Sequence, residues 1–147
     1  MLNFDFRFAE QFVVALVLTS LTVLTHSVGM NWVKRYFETS HSFMKDRKAF
    51  RSHNISMIGI VAIMVATHAI EVVIWALFFF LRGLVPDAMS AMYFSITSYA
   101  TLGSSNITLP DHWRGIGGFE AMSAMLMFGW STAVLAAVVM KHHSSDT

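Results

Sequence analysis

The chain contains no cysteine, which excludes disulfides, thiolate metal sites and cysteine nucleophiles. Charge is scarce: 13% of residues are charged, against about 25% in ordinary globular chains. It has no phosphate-binding glycine loop, no nucleophile set beside a base and no basic–aromatic stripe for nucleic acid. Neither an enzyme nor a nucleic-acid partner is expected. The first residues, Met1-Leu2-Asn3-Phe4-Asp5-Phe6-Arg7, lack a basic n-region, and no small-residue cleavage site follows the first apolar run, so no cleaved signal peptide is expected. What the sequence does have is apolar surface. Hydrophobic residues make up 55% of the 147, and the mean hydropathy is +0.56. The expectation is an all-α integral membrane protein with no room for a separate soluble domain.

Three segments are long enough to cross a bilayer: roughly Phe8 to Val33, Ile55 to Leu81 and Gly115 to Met140. Each would give about 39 Å of helix at about 1.5 Å per residue, more than a hydrocarbon core of about 30 Å, so tilt or protruding ends are expected. The net charge of +1 says little, but its distribution does. Lys34, Arg35, Lys45, Arg47, Lys48 and Arg51 lie between the first two segments, opposed by Glu38 and Asp46. The positive-inside rule makes this connection cytoplasmic. The N-terminus is then outside, and Lys141, His142 and His143 end the chain inside.

Between the second and third spans lies Ala91-Met92-Tyr93-Phe94-Ser95-Ile96-Thr97-Ser98-Tyr99-Ala100-Thr101-Leu102-Gly103, which is apolar but too short to span. Irregular backbone at membrane depth survives where it is buried in protein or lines a watery cavity. The segment therefore predicts a re-entrant helix from about Ala88 to Thr101, started by Pro86 and Asp87 and ended at Gly103, where a left-handed conformation is cheap. Its carbonyl end would favour a cation.

This segment resembles the pore helix and filter entry of potassium channels. Trp113-Arg114, Gly118-Phe119-Glu120-Ala121-Met122 and Leu126-Met127-Phe128-Gly129-Trp130-Ser131-Thr132-Ala133 resemble the inner helix of one bacterial branch. The likeness covers about Ile55 to Val139. The first transmembrane helix and the basic cytoplasmic loop, over 1–54, are extra to this likeness, which implies a pore module over 55–147, with four copies around one axis in a plasma (bacterial inner) membrane. Thr101, Leu102, Gly103, Ser104, Ser105 and Asn106 would form the filter and pore loop. Where the family has Gly-Tyr-Gly-Asp, this chain has Gly103-Ser104-Ser105-Asn106. Ser105 in a left-handed conformation would cost roughly 1–2 kcal/mol. Ser104 removes a bracing aromatic ring, and Asn106 removes an outer negative charge. Weakly selective passage of monovalent cations, K⁺ or Na⁺, is expected rather than strict potassium selectivity, with no cofactor. No arginine repeat lies within a span, which excludes a voltage sensor of that kind.

Ionisable residues inside the spans are functional candidates. His68 and Glu71 are three apart on one helix face, and antiparallel packing would bring His26 near them. The plain expectation is a buried histidine–carboxylate hydrogen bond that fixes spans one and two. The sharper ones are a proton or gating role, or a metal site of the histidine–carboxylate kind that suits zinc or iron. Glu120 is expected to support the pore loop by hydrogen bonds. Thr19, Thr22 and Thr25, and the eleven methionines, read as packing residues. Gly115, Gly117 and Gly118 would let the third span start close against the re-entrant loop. Trp32, Trp75 and Trp113 read as interfacial anchors, and Trp130 as a residue packed between helices. Two further classes stay open beside the channel: a channel-derived scaffold or sensing protein that does not conduct, and a membrane metalloprotein built on His26, His68 and Glu71.

Overall fold

The computed structural model describes residues 2–43, 49–103 and 106–143, with side chains for 9–40, 55–103 and 106–141. Lys45, Asp46, Arg47 and Lys48 of the basic connection and Ser104 and Ser105 of the loop lie outside the described residues. Among the described residues four α-helices follow one another: α1 (Leu2–Phe43), α2 (Ala49–Leu81), α3 (Ala88–Tyr99) and α4 (Ile116–His143), with a single 3₁₀ turn, Asp111–Trp113, before α4. Three stretches are long and apolar enough to cross a membrane: Ala9–Ser40, Ile55–Leu81 and Asp111–Lys141. The chain is an all-α integral membrane protein. The first helix runs well past the expected Val33, because neither proline nor an uncapped glycine interrupts the polar residues that follow.

α1 lies along α2 and α4, and its inward residues form a stripe at helical spacing: Ala15, Leu18, Thr22, His26, Met30, Val33 and Phe37. Two apolar clusters divide this stripe. One joins Ala15 and Leu18 to Trp75, Phe79, Val85, Phe94, Leu109, Trp113 and Ile116. The other joins Met30, Val33 and Phe37 to Ile60, Met64 and Val138. The polar residues of the stripe, Thr22 and His26, lie between them. Trp75 and Trp113 sit in the first cluster, 0% and 3% exposed, not at the edge as expected from interfacial anchoring. Their rings stack on neighbours: Trp75 lies beside Phe79, and Trp113 meets Phe78 and the Arg82 guanidinium. Trp130 is 38% exposed, although its ring lies against His26.

Helix association in lipid has little hydrophobic drive and leans on close backbone approach and interhelical hydrogen bonds. Both occur here. A Cβ at Gly29 of α1 would run into the Thr67 side chain of α2, and one at Gly59 into the Tyr36 ring. Thr22 and Ser123 share a hydrogen bond at 3.0 Å between α1 and α4. Ser20 and Thr25 instead donate to carbonyls one turn back on α1. The ends are tied as well. Gln11 donates to the His112 carbonyl, and Arg82 pairs with Glu10 at 3.0 Å. Both partners of that pair are half-exposed, which limits it to roughly 0–1 kcal/mol. At the opposite end Lys141 sits over the Phe37 ring.

The close contact at Gly29 makes a testable claim about register. Gly29→Ala should lower the thermal midpoint in detergent, since overpacking costs roughly 1–3 kcal/mol. Gly118→Ala, where an added Cβ meets open space, should not lower it.

Candidate functional site

α2 and α3 end in the same way, with one difference in chemistry. At the end of α2, Gly83 donates to the Phe80 carbonyl and Leu84 to the Phe79 carbonyl, at 2.9 and 3.0 Å. At the end of α3, Thr101 donates to the Ser98 carbonyl and Leu102 to the Thr97 carbonyl, at 2.9 and 2.8 Å. Both are Schellman caps, which need a left-handed residue at the first position past the cap. Gly83 takes that position at φ +64, without cost. In α3 the position belongs to Thr101, at φ +60. Helix α3 therefore stops at Tyr99, earlier than the expected Thr101, and Thr101 rather than Gly103 closes it. Gly103 is also left-handed, at φ +71, and it sends its N–H to the same Thr97 carbonyl at 3.1 Å. A β-branched residue in this region stores roughly 1–2 kcal/mol.

The start of α3 is orthodox. Asp87 is the N-cap: its carboxylate accepts from the Ser90 N–H at 2.9 Å and from the Ser90 hydroxyl at 2.7 Å. These hydrogen bonds, the backbone one foremost, hold the Asp87 carboxyl below its ordinary range. From this cap α3 runs back alongside α2. Phe94 meets Phe79, Ser95 donates to the Val72 carbonyl at 2.8 Å, and Tyr99 reaches Glu71. Leu109, Trp113 and Ile116 then rejoin the cluster that contains Phe79 and Val85, near which α3 began. The descent ends near the middle of α2, and the connection returns to its starting end. At the bottom lie Thr101, Leu102 and Gly103, all exposed, with Leu102 at 78%. Asn106 is exposed on the return. α4 begins close against α3, where a Cβ at Gly117 would lie 3.2 Å from the Phe94 ring and the Ser98 hydroxyl.

Two polar layers stand behind the loop. In the first, Glu120 of α4 is fully buried, with Oε1 2.5 Å from the Ser95 hydroxyl of α3. The same hydroxyl contacts the Val72 carbonyl, so Ser95 joins three helices. Glu120 Oε2 and Trp75 Nε1 are buried without a hydrogen-bond partner among the described residues.

The second layer is larger. Glu71, fully buried, has a neighbour on each oxygen. His26 Nδ1 lies 2.9 Å from Oε1, and the Tyr99 hydroxyl donates to Oε2. His68 Nδ1 is 2.8 Å from the Tyr99 hydroxyl and 3.4 Å from Oε2. On the far side, Ser131 Oγ lies 3.1 Å from His68 Nε2 and 3.3 Å from His26 Nε2. Four helices thus meet at one carboxylate and one hydroxyl. His26, His68 and Glu71 are brought together as their spacing suggested. Tyr99, Ser95 and Ser131 carry contacts that sequence reasoning did not assign. A signal for Ser131 existed: it lies eleven residues, about three helical turns, after Glu120 and shares its face.

The profile of a family described as ion channel matches residues 65–141, just over half of the chain. The chain belongs to this ion channel family, and its resemblance to the two-helix pore module of the potassium channel superfamily stands on that match. No curated protein and no solved structure matches it. The match includes α3, the loop, Glu71, Glu120 and Ser131 but not α1, so His26 reaches the polar layer from outside the family's module.

Substitutions at two positions test the loop and its support. Thr101→Gly should raise thermal stability by about 1 kcal/mol per chain, because glycine removes the left-handed strain without touching the cap. Glu120→Gln, which keeps a hydrogen-bonding group beside Ser95, should change stability by less than about 1 kcal/mol, whereas Glu120→Ala should cost roughly 1–3 kcal/mol. Denaturation monitored by tryptophan fluorescence in detergent reads both.

Proposed function

We propose that the chain is a pore subunit in which four copies surround an axis and residues 101–106 line a weakly selective path for monovalent cations. The observation that carries this reading is the position of the loop. Non-helical backbone at Thr101, Leu102 and Gly103 lies at the level of Glu71, mid-way along a span, and is exposed in the single chain. Such backbone is stable in a membrane where protein covers one side and water the other. Four loops around an aqueous axis meet both conditions. The outer face of α3, with Met89, Tyr93 and Ile96 exposed, is then covered by neighbouring subunits. In this arrangement α3 is re-entrant from outside, its C-terminal carbonyls aim at the axis, and they favour a cation there.

Potassium selectivity needs a column of backbone carbonyls held to replace the ion's water. Ser104, Ser105 and Asn106 stand where the superfamily's second filter glycine and its flanking tyrosine and aspartate would be, so the path is wider and hydrated. The basic connection between α1 and α2 faces the cytoplasm of a plasma membrane, with the N-terminus outside and the C-terminus inside.

Purified protein in liposomes should pass both Rb⁺ and Na⁺. Changing Ser104→Tyr, Ser105→Gly and Asn106→Asp together should raise the Rb⁺ to Na⁺ flux ratio. Folded tetramers with neither flux would assign the chain instead to a scaffold or sensing role that retains the loop for assembly. A stable monomer in detergent and in lipid nanodiscs would remove the pore reading altogether.

A further inference from the structure

The layer around Glu71 needs one hydrogen more than its neutral side chains and a carboxylate bring. Five contacts hold it together: His26 Nδ1 to Glu71, Tyr99 to Glu71, His68 Nδ1 to Tyr99, and both Nε2 atoms to Ser131. Each contact needs one hydrogen. Two neutral imidazoles, one phenol and one serine hydroxyl bring one each, and the fifth needs a further proton on the carboxyl group or on an imidazole. With the Tyr99 hydrogen on Glu71 and both imidazole hydrogens on Nδ1, the two Nε2 lone pairs face a single serine hydrogen. Without that extra proton one contact is left with no hydrogen, in a place where His26 and Glu71 are wholly buried.

The arrangement around this deficit has a direction. Both Nδ1 atoms face the same carboxylate, and both Nε2 atoms face the same hydroxyl. The ligand atoms of His26, His68 and Glu71 all lie within 4.8 Å of one another. Tetrahedral zinc with bonds of about 2.0–2.2 Å keeps its ligand atoms about 3.3 Å apart. His26 Nδ1 lies 2.9 Å from Oε1 and His68 Nδ1 3.4 Å from Oε2, each near that spacing from one oxygen of the same carboxylate. We propose that His26, His68 and Glu71 form an intramembrane site for one divalent transition ion of the zinc type.

A metal at the Nδ1 side takes both Nδ1 lone pairs and places both ring hydrogens on Nε2. Ser131 Oγ has two lone pairs and accepts both, so the hydrogen deficit disappears. This is the outer-shell arrangement that orients ligating histidines: the second ring nitrogen donates to a fixed acceptor. Two imidazoles and one carboxylate are a donor set suited to zinc and its neighbours. Three protein ligands leave a fourth position, beside which the Tyr99 hydroxyl already sits. His68 is 16% exposed and gives the site its side of entry. The ion would tie α1 to α2 and, through Tyr99, brace the end of α3 from which the loop departs.

The test reads metal rather than flux, so it stands apart from the conduction experiment. Tag-free protein is equilibrated with Zn²⁺, passed over a chelating resin and assayed by mass spectrometry. A parallel sample takes Co²⁺, whose visible absorption reports a tetrahedral nitrogen–oxygen site without any substitution. The expected result is one ion per chain in the unaltered protein and its loss in His26→Ala and in Glu71→Gln. Ser131→Ala keeps all three ligands and should weaken zinc binding about 10–100-fold. Unaltered, folded protein that retains no zinc and gives no tetrahedral cobalt spectrum overturns the proposal and leaves a bound proton as the missing hydrogen. Stoichiometric metal that survives both His26→Ala and Glu71→Gln overturns it equally, because the ion then sits on other histidines.

Discussion

A carboxyl group sealed inside an apolar bundle has no water to turn to, and Glu71 sets the terms for the helices around it. Burial of an unsatisfied polar group costs roughly 1–3 kcal/mol by protein measurements, and more if it is charged. Glu71 avoids that cost by drawing His26 from α1 and Tyr99 from α3, with His68 one turn away on its own helix. Ser131 of α4 completes the ring from behind. A shift of any one helix by a turn would break at least one of these contacts. The layer therefore specifies register as well as contributing stability.

The two apolar clusters on either side cannot do this. Lipid tails are as apolar as leucine, so apolar side chains gain little by leaving them for one another. What discriminates one helix arrangement from its neighbours is shape and hydrogen bonding: Gly29 seated on Thr67, Gly59 on Tyr36, Thr22 bonded to Ser123, and Ser95 held between Val72 and Glu120. The short helix α3 is the best secured of the four for its length. Asp87 and Ser90 fix its start, Ser95 its middle, Tyr99 its end, and the cap at Thr101 the exit of the chain.

Much of this was legible in the sequence, for physical reasons. Three long apolar runs with a short one between them leave few arrangements in a bilayer, and Pro86-Asp87 marked the start of α3 to the residue. The three-residue spacing of His68 and Glu71 placed them on one face, and depth alone put His26 at their level. The end of α3 was misplaced because glycine is the usual left-handed residue, and here threonine occupies that position two residues earlier. The tryptophans misled in a different way. Trp75 and Trp113 have the sequence positions of interfacial residues, but the return of the chain from α3 covers them, and no local pattern announces that closure. The roles of Tyr99 and Ser131 depend on which helix faces which. A single chain of letters carries that only as a shared helical face.

The meeting of His26 with Glu71 also bears on how the protein enters its membrane. Helices leave the ribosome in order, so α2 reaches the lipid before α3 and α4 do. An acidic or basic side chain at the centre of a lone inserting helix costs roughly 3 kcal/mol on insertion scales. At that moment Tyr99 and Ser131 have not reached the bilayer, and the partner from another helix already in place is His26. The first helix, which stands outside the family's module, thus arrives early enough to act as an internal chaperone, escorting the acidic second helix into the bilayer as a hairpin before α3 and α4 follow.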